Sequence, residues 1–259
     1  MPTPAAQYLD RCRDLLDAVA AQQSAIAQAA DWFAHTILAG RMVHVFGSGH
    51  SRIMVEEMWP RYGSFPGFNP IVELSLTHHT QVVGANGQRQ AMFLENVPGL
   101  AERILRNFNL AADDTALVIS SSGCNVVPIE IAQGFRARGV RTVAIVSRAH
   151  SDASTSQHPA GDKLADHADL VLDTGAPVGD AMVQLEGMEM PVAPGSTVAG
   201  CMLINAIKAE LARRLTDAGH PPLALASGAV VGQARAREIF ESAYDEHARR
   251  MARLYERAD

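Results

Sequence analysis

The sequence is poor in aromatics, cysteine and positive charge, and it contains no long apolar run. Phe, Trp and Tyr make up 5% of the 259 residues, so a core must rest on Ala, Val, Leu, Ile and Met; the 47% hydrophobic content is ample for one. Cys12, Cys124 and Cys201 form an odd, scattered set without a CxxC pair. That argues against a disulfide framework and for a reducing compartment. A formal net charge of −6 leaves nothing in bulk to neutralise phosphates, which argues against nonspecific nucleic-acid binding. No apolar stretch reaches the roughly 18 residues of a membrane span. The opening MPTPAAQYLDRCRD has no signal core. The expectation is a soluble, cytoplasmic protein with no membrane and no nucleic-acid partner.

What is present is alternation. Residues 5–39 hold no Gly or Pro and read as one or two amphipathic helices. Strands are expected at MVHVF (42–46), PIVEL (70–74), 115–119, TVAIVS (142–147) and DLVLD (169–173). Helical patterns cover RIMVEEMW, LENVPGLAERILRNF (94–108), IEIAQGFRARG, STVAGCMLINAIKAELARRL (196–215) and 229–257. Strands alternating with helices predict an α/β fold, a parallel sheet covered on both faces. Linkers and repeats are absent, so one domain over 1–259 is expected, with additional helices at both ends. The helix 196–215 is apolar on nearly every side, which predicts a homodimer or homotetramer. Arg249, Arg250, Arg253 and Arg257 alternate with acids and read as a solvated face.

Two junctions carry the chemistry. In VISSSGCNVVPIEIA (118–132) three serines and a glycine stand where a strand turns into a helix. Free backbone N–H groups and the positive helix end attract an anion there. Serine hydroxyls add donors on short stems, and Gly123 lets the backbone come close. This set suits a phosphate monoester; helix capping is the plainer use of a single serine. The pattern G-x-x-x-x-G-K-[ST] is missing, so a nucleotide P-loop is excluded. VFGSGHSRIMVEEM repeats the design with Gly47, Ser48, Gly49, His50 and Ser51, and it lacks the third glycine of a dinucleotide fingerprint.

FGSGHS (46–51), ISSSGCN (119–125) and PGSTVAG (194–200) together resemble the sugar-isomerase (SIS) family, in particular its phosphoheptose-isomerase-like branch and relatives, over about residues 35–225. The resemblance implies a doubly wound, three-layer sheet with a phosphorylated sugar at the strand ends. By position, Ser120, Ser121, Ser122 and Asn125 would hold the phosphate, although Asn125 stands where Ser or Thr is usual. Ser48, Gly49, His50 and Ser51 would face the sugar, and Ser196 or Thr197 would complete the pocket. Glu57 falls where that branch carries a metal-binding histidine. The other ligand places correspond to about Arg61, Cys201 and Ala209, none of which is the ligand required, so no metal and no cofactor is expected.

Aldose–ketose isomerisation needs a general base and an acid. Glu57, with a pKa raised by burial in a cleft, is the leading base; a solvated helix face is the competing interpretation, and it is preferred for Glu56. His79 and His220 are candidate proton carriers. Asp180 and Glu186, in APVGDAMVQLEG, are candidate acids or bases that would otherwise serve as turn carboxylates. Cys124 reads as a bystander in the loop. The expected activity is sugar-phosphate isomerisation through an enediol. A phosphosugar sensor without chemistry, or a lyase or etherase on an amino-sugar phosphate, are the alternatives.

Overall fold

Five apolar runs become the strands β1 (Val43–Gly47), β2 (Phe68–Ile71), β3 (Thr115–Ile119), β4 (Arg141–Val146) and β5 (Leu170–Asp173). They form one parallel sheet in the order β2-β1-β3-β4-β5. The computed structural model describes residues 2–77 and 87–256. In chain order its helices are α1 (Pro4–Ala20), α2 (Gln23–Leu38), α3 (Arg52–Met58), α4 (Leu74–Thr77), α5 (Gly87–Leu94) and α6 (Leu100–Leu105). They continue with α7 (Val126–Ala137), α8 (Arg148–Ala153), α9 (Ser196–Asp217), α10 (Gly228–Val231) and α11 (Gln233–Tyr255).

Successive side chains on a strand point to opposite faces. Val43 and Val45, Leu117 and Ile119, and Val143 and Ile145 join a buried cluster with α2, α3 and α9. Phe46, Ala116, Val118, Ala144 and Val146 join a second cluster with α6 and α7 on the other face. Burial on both faces is why the strands read as continuous apolar runs, as is usual for a parallel sheet with helices on both sides. The doubly wound α/β arrangement is therefore the one expected. On α9, Leu203, Ile204, Ile207 and Leu211 enter the first cluster, whereas Asn205 stays exposed.

Several features differ from expectation: the second strand runs Phe68–Ile71 rather than 70–74, and the helix expected over 229–257 is split at Gly232 into α10 and α11. The helix expected over 94–108 is broken after Leu94, and α6 starts only at Leu100, because Pro98 disfavours a helical residue before it and Gly99 sits at φ +82°. Residues 181–194, for which no strand is expected, form an antiparallel hairpin of β6 (Ala181–Val183) and β7 (Val192–Pro194). The arginines of α11 are not all solvated. Arg250 Nη1 donates to the carbonyls of Ile37 and Arg41 at 3.0 and 3.1 Å, and Arg253 Nη1 donates to Gly40 at 3.1 Å. They satisfy and neutralise the carboxyl end of α2, where a helix has orphan carbonyls and negative charge.

The amino ends of the strands are tied by a buried polar cluster. Arg41 donates to Asp114 through Nε at 2.8 Å and Nη2 at 2.7 Å, and His44 Nε2 lies 3.2 Å from the same carboxylate. Asn69 meets His44 Nδ1 at 3.0 Å, which links β2 to this cluster. The carboxyl ends of the strands carry the serine-rich loops instead.

Candidate functional site

β1 has β2 on one side and β3 on the other, so the connections leaving β1 and β3 turn to opposite sides of the sheet. A crevice opens between two such loops, and in open α/β sheets ligands bind there. Gly47 pairs with Ile119, which places Ser48 and Ser120 next to each other as the loops leave the sheet. Both serines are buried. The first loop tightens into a 3-10 turn over Gly49–Ser51 before α3 begins. Gly47 has to be glycine, because a Cβ there would stand 2.7 Å from the Ser51 carbonyl oxygen.

The second loop is a cradle of donors. Ser120 Oγ accepts from the Gly123 N–H, and Ser122 Oγ accepts from the Cys124 N–H, each at 3.2 Å. A hydroxyl that has accepted keeps its proton to donate outward. Ser121 Oγ is buried and has no partner among the described residues. The backbone N–H groups of Ser121, Ser122, Asn125 and Val126 likewise make no hydrogen bond among the described residues. Gly123, at φ +62°, makes the turn that aims these groups toward the head of α7. Nearly all buried polar side chains in proteins are paired. An orphan hydroxyl and open amides thus stand together ahead of a twelve-residue helix, a place where an anion would find donors.

A residue that the sequence pattern did not bring forward closes the crevice. Glu95 follows α5, and its Oε2 accepts from Asn125 Nδ2 at 2.5 Å. Its carbonyl accepts from the Val127 N–H at 2.9 Å. Its Oε1 would lie 3.4 Å from a Cβ built on Gly49. Glu95 thus spans the two loops. Its position next to P98–G99 was the only local signal, and the contact with Asn125 joins residues 30 apart in sequence.

The third expected segment behaves differently. Asp180, at φ +69°, folds its carboxylate over the start of α9. Oδ1 accepts from the Gly195 and Ser196 N–H groups at 3.1 and 2.7 Å, and Oδ2 accepts from Ser196 Oγ at 2.7 Å. Asp180 and Ser196 are committed to each other as a helix cap. Asp180 is therefore engaged as a cap, and the Ser196 hydroxyl has given its proton to that carboxylate and could offer a ligand only its lone pairs. Thr197, half-buried, stands next in the same turn.

Glu57 stands at the far end of α3 in a charged knot. Its carboxylate pairs with Arg61 and accepts from Asn205 Nδ2 at 2.6 Å, and Lys208 Nζ donates to its carbonyl at 2.8 Å. Burial pulls its pKa up, but the hydrogen bonds from Asn205 and Arg61 and the charges of Arg61 and Lys208 outweigh that, and the carboxyl is held below its ordinary range. This reverses the raised pKa expected for a base. Burial pushes the Lys208 ammonium down, with Glu57 opposing. The metal-ligand places of the phosphoheptose branch do not fit a metal here, because the Arg61 guanidinium occupies the Glu57 carboxylate. Among the described residues no group of three His, Cys, Asp or Glu side chains could hold an ion.

The remaining expected residues scatter. His50 is exposed and Ser51 half-buried on the first loop. Glu186 is exposed at the tip of the β6–β7 hairpin. His220 lines a cleft of about 290 Å³ with Ile37, Gly40 and Pro66, which flank the amino ends of β1 and β2, the opposite edge of the sheet from the serine loops. His79 lies outside the described residues.

A parallel sheet with two serine-rich loops at its switch point defines the fold class, and comparison with known proteins agrees with it. The family model described as the SIS domain matches residues 7–147. The UPF0309 protein of Streptomyces coelicolor is 36% identical over 232 residues, covering 88% of this chain and 90% of that protein. The UPF0309 protein of Halalkalibacterium halodurans is 33% identical over 229 residues, covering 87% and 92%. In fold the chain is similar to a phosphoheptose isomerase of Neisseria gonorrhoeae, with a TM-score of 0.51 at 16% identity over 80% of this chain and 95% of that one. The chain belongs to the SIS-domain family and, within it, to the UPF0309 proteins. Among the described residues no helix is long and apolar enough to cross a membrane.

Proposed function

We propose that the crevice binds a sugar phosphate and that the protein interconverts its aldose and ketose forms. The observation that carries this reading is the buried Ser121 hydroxyl, which has no partner among the described residues and stands beside amides equally open there, ahead of α7. A phosphate monoester offers acceptors to Ser120, Ser121 and Ser122 together, and the helix end favours its charge. Ser48 and Ser51, on the facing loop, would take sugar hydroxyls. Membership of the SIS family supports a sugar phosphate over other monoesters.

Isomerisation moves a proton between neighbouring carbons. A base takes it from C2 and delivers it to C1, while an acid serves the carbonyl oxygen. Glu57 lies about 12 Å along α3 from Gly49 at 1.5 Å per residue. Its engagement by Arg61 and Asn205 favours a second reading, in which the crevice binds a sugar phosphate without turning it over. A panel of aldose, ketose and amino-sugar phosphates incubated in deuterated water and followed by NMR separates the two. Deuterium at C2 is the expected result. Release of lactate or ammonia would assign a lyase or deaminase, and tight binding without turnover would establish the binding protein. A chain that binds no member of the panel refutes the crevice as a phosphosugar site.

A further inference from the structure

Glu95 stands between the two loops that form the crevice. Its carboxylate lies between the two loops, with Oε2 on Asn125 Nδ2 at 2.5 Å and Oε1 toward Gly49. The placement is fixed twice over. The Glu95 side chain is held by Asn125, and its backbone is docked on α7 through the Val127 N–H at 2.9 Å. Moving the carboxylate aside would therefore break a contact with the first turn of the helix.

A dianion cannot share Asn125 with a carboxylate already seated there, because like charges within a few ångströms repel strongly in a site screened from water. The phosphate is confined to the other wall of the cradle, where Ser120, Ser121 and Ser122 present hydroxyls and where the Ser121 and Ser122 amides are open. What a carboxylate and an amide side chain recognise together is a group that both donates and accepts. Sugar hydroxyls do this, as does an amino group in place of one.

We propose that Glu95 and Asn125 form a specificity-determining pair that reads the hydroxyl or amino groups of the ligand, and that Asn125 takes no part in holding the phosphate. The assignment rests on the phosphosugar reading of the crevice and narrows it. The ligand must carry hydrogen-bond donors within a few bonds of the phosphorus, as sugar and polyol phosphates do, whereas inorganic phosphate uses the serine wall alone.

The test is calorimetry with two probes, inorganic phosphate and fructose 6-phosphate, on the unmodified chain and on Glu95→Gln, Asn125→Ala and Ser122→Ala. Glu95→Gln keeps the shape and an acceptor for Asn125, so the fold should persist, and thermal melts check that it does. Fructose 6-phosphate should bind Glu95→Gln about tenfold to a hundredfold more weakly, the loss expected for a hydrogen bond to a charged group. Inorganic phosphate should bind it as well as before or more tightly, since a neighbouring negative charge has gone. Asn125→Ala should show the same split. Ser122→Ala should weaken both probes alike. Parallel weakening or parallel strengthening of the two probes in Glu95→Gln and Asn125→Ala overturns the pair as a reader of the sugar, and so does no change in either. If the unmodified chain binds inorganic phosphate but not fructose 6-phosphate, the sugar assignment falls while the serine wall stands. If it binds neither, the crevice itself is misassigned.

Discussion

Two helices of this protein begin with the same residue types and end in opposite states. Ser120–Gly123 heads α7, and Gly195–Ser196 heads α9. At α9 the chain supplies its own anion, the Asp180 carboxylate, which takes two backbone N–H groups and the Ser196 hydroxyl. At α7 the Glu95 carboxylate takes the Asn125 side chain, and among the described residues the Ser121 hydroxyl stays buried without a partner. Composition at a helix start therefore does not make a binding site. What distinguishes the two is whether the described residues supply an acceptor for the serine.

Removing the internal anion should have the largest effect on stability. Asp180→Ala strips the α9 cap and leaves the Ser196 N–H and hydroxyl without their acceptor, while the Gly195 N–H keeps the backbone carbonyl of residue 180. A loss of about 2 kcal/mol in unfolding free energy is expected, in the upper range for a helix cap with charge-assisted bonds. Asp180→Asn retains one acceptor and tolerates the left-handed φ, so it should lose less. Urea titrations measure both. The phosphate affinity of the crevice should not move. If Asp180→Ala takes up a second equivalent of inorganic phosphate, the capped helix start is a latent anion site and the contrast collapses.

The open end should respond the other way. Ser121→Ala removes a buried hydroxyl that has no partner, so without ligand its stability should be unchanged or higher by less than about 1 kcal/mol. The same substitution should weaken phosphate or sugar-phosphate binding by about 1.5–3 kcal/mol. Ser196→Ala should do the reverse, lowering stability and leaving binding alone. A Ser121→Ala protein that is destabilised yet binds phosphate normally would show that the orphan hydroxyl belongs to the core and not to a site.

The contrast between these helix starts could not be seen in the sequence, although much of the frame could. MVHVF, TVAIVS and DLVLD read as strands because strands buried on both faces need no polar alternation. The serine and glycine clusters marked the loops because tight turns and close backbone approach require those residues. Long-range partners left no such mark. The Asp180–Ser196 cap crosses a hairpin of short strands with weak β pattern, and the Glu95–Asn125 bond joins a helix end to a loop 30 residues on. Arg250 and Arg253 looked solvated because their acceptors are backbone carbonyls of α2, more than 200 residues away. Ten histidines gave no way to know that His220 faces the opposite edge of the sheet.

The smallest effect is expected at Glu57, whose partners resemble those of Asp180 more than those of the serine cradle. Its carboxylate is engaged by Arg61 and Asn205 and its pKa is lowered. A carboxyl with a lower pKa in the folded state than in the unfolded one stabilises the fold above its unfolded pKa, near 4.3. That contribution disappears as pH falls through the folded value. Glu57→Gln cannot ionise, so the variant should be less stable than the parent at pH 7, by roughly 0.5–1 kcal/mol for a partly exposed pair. The two stability curves should converge below about pH 4. A gap that persists unchanged into acid would mean that Glu57 stabilises through packing rather than charge. Turnover measured on the same variant settles whether the knot is also chemical. A structural carboxylate leaves turnover within a few-fold, whereas a positioned base costs about two to four decades. A loss of that size with little change in binding would return Glu57 to the reaction, with Arg61 and Asn205 as the groups that must let go of it first.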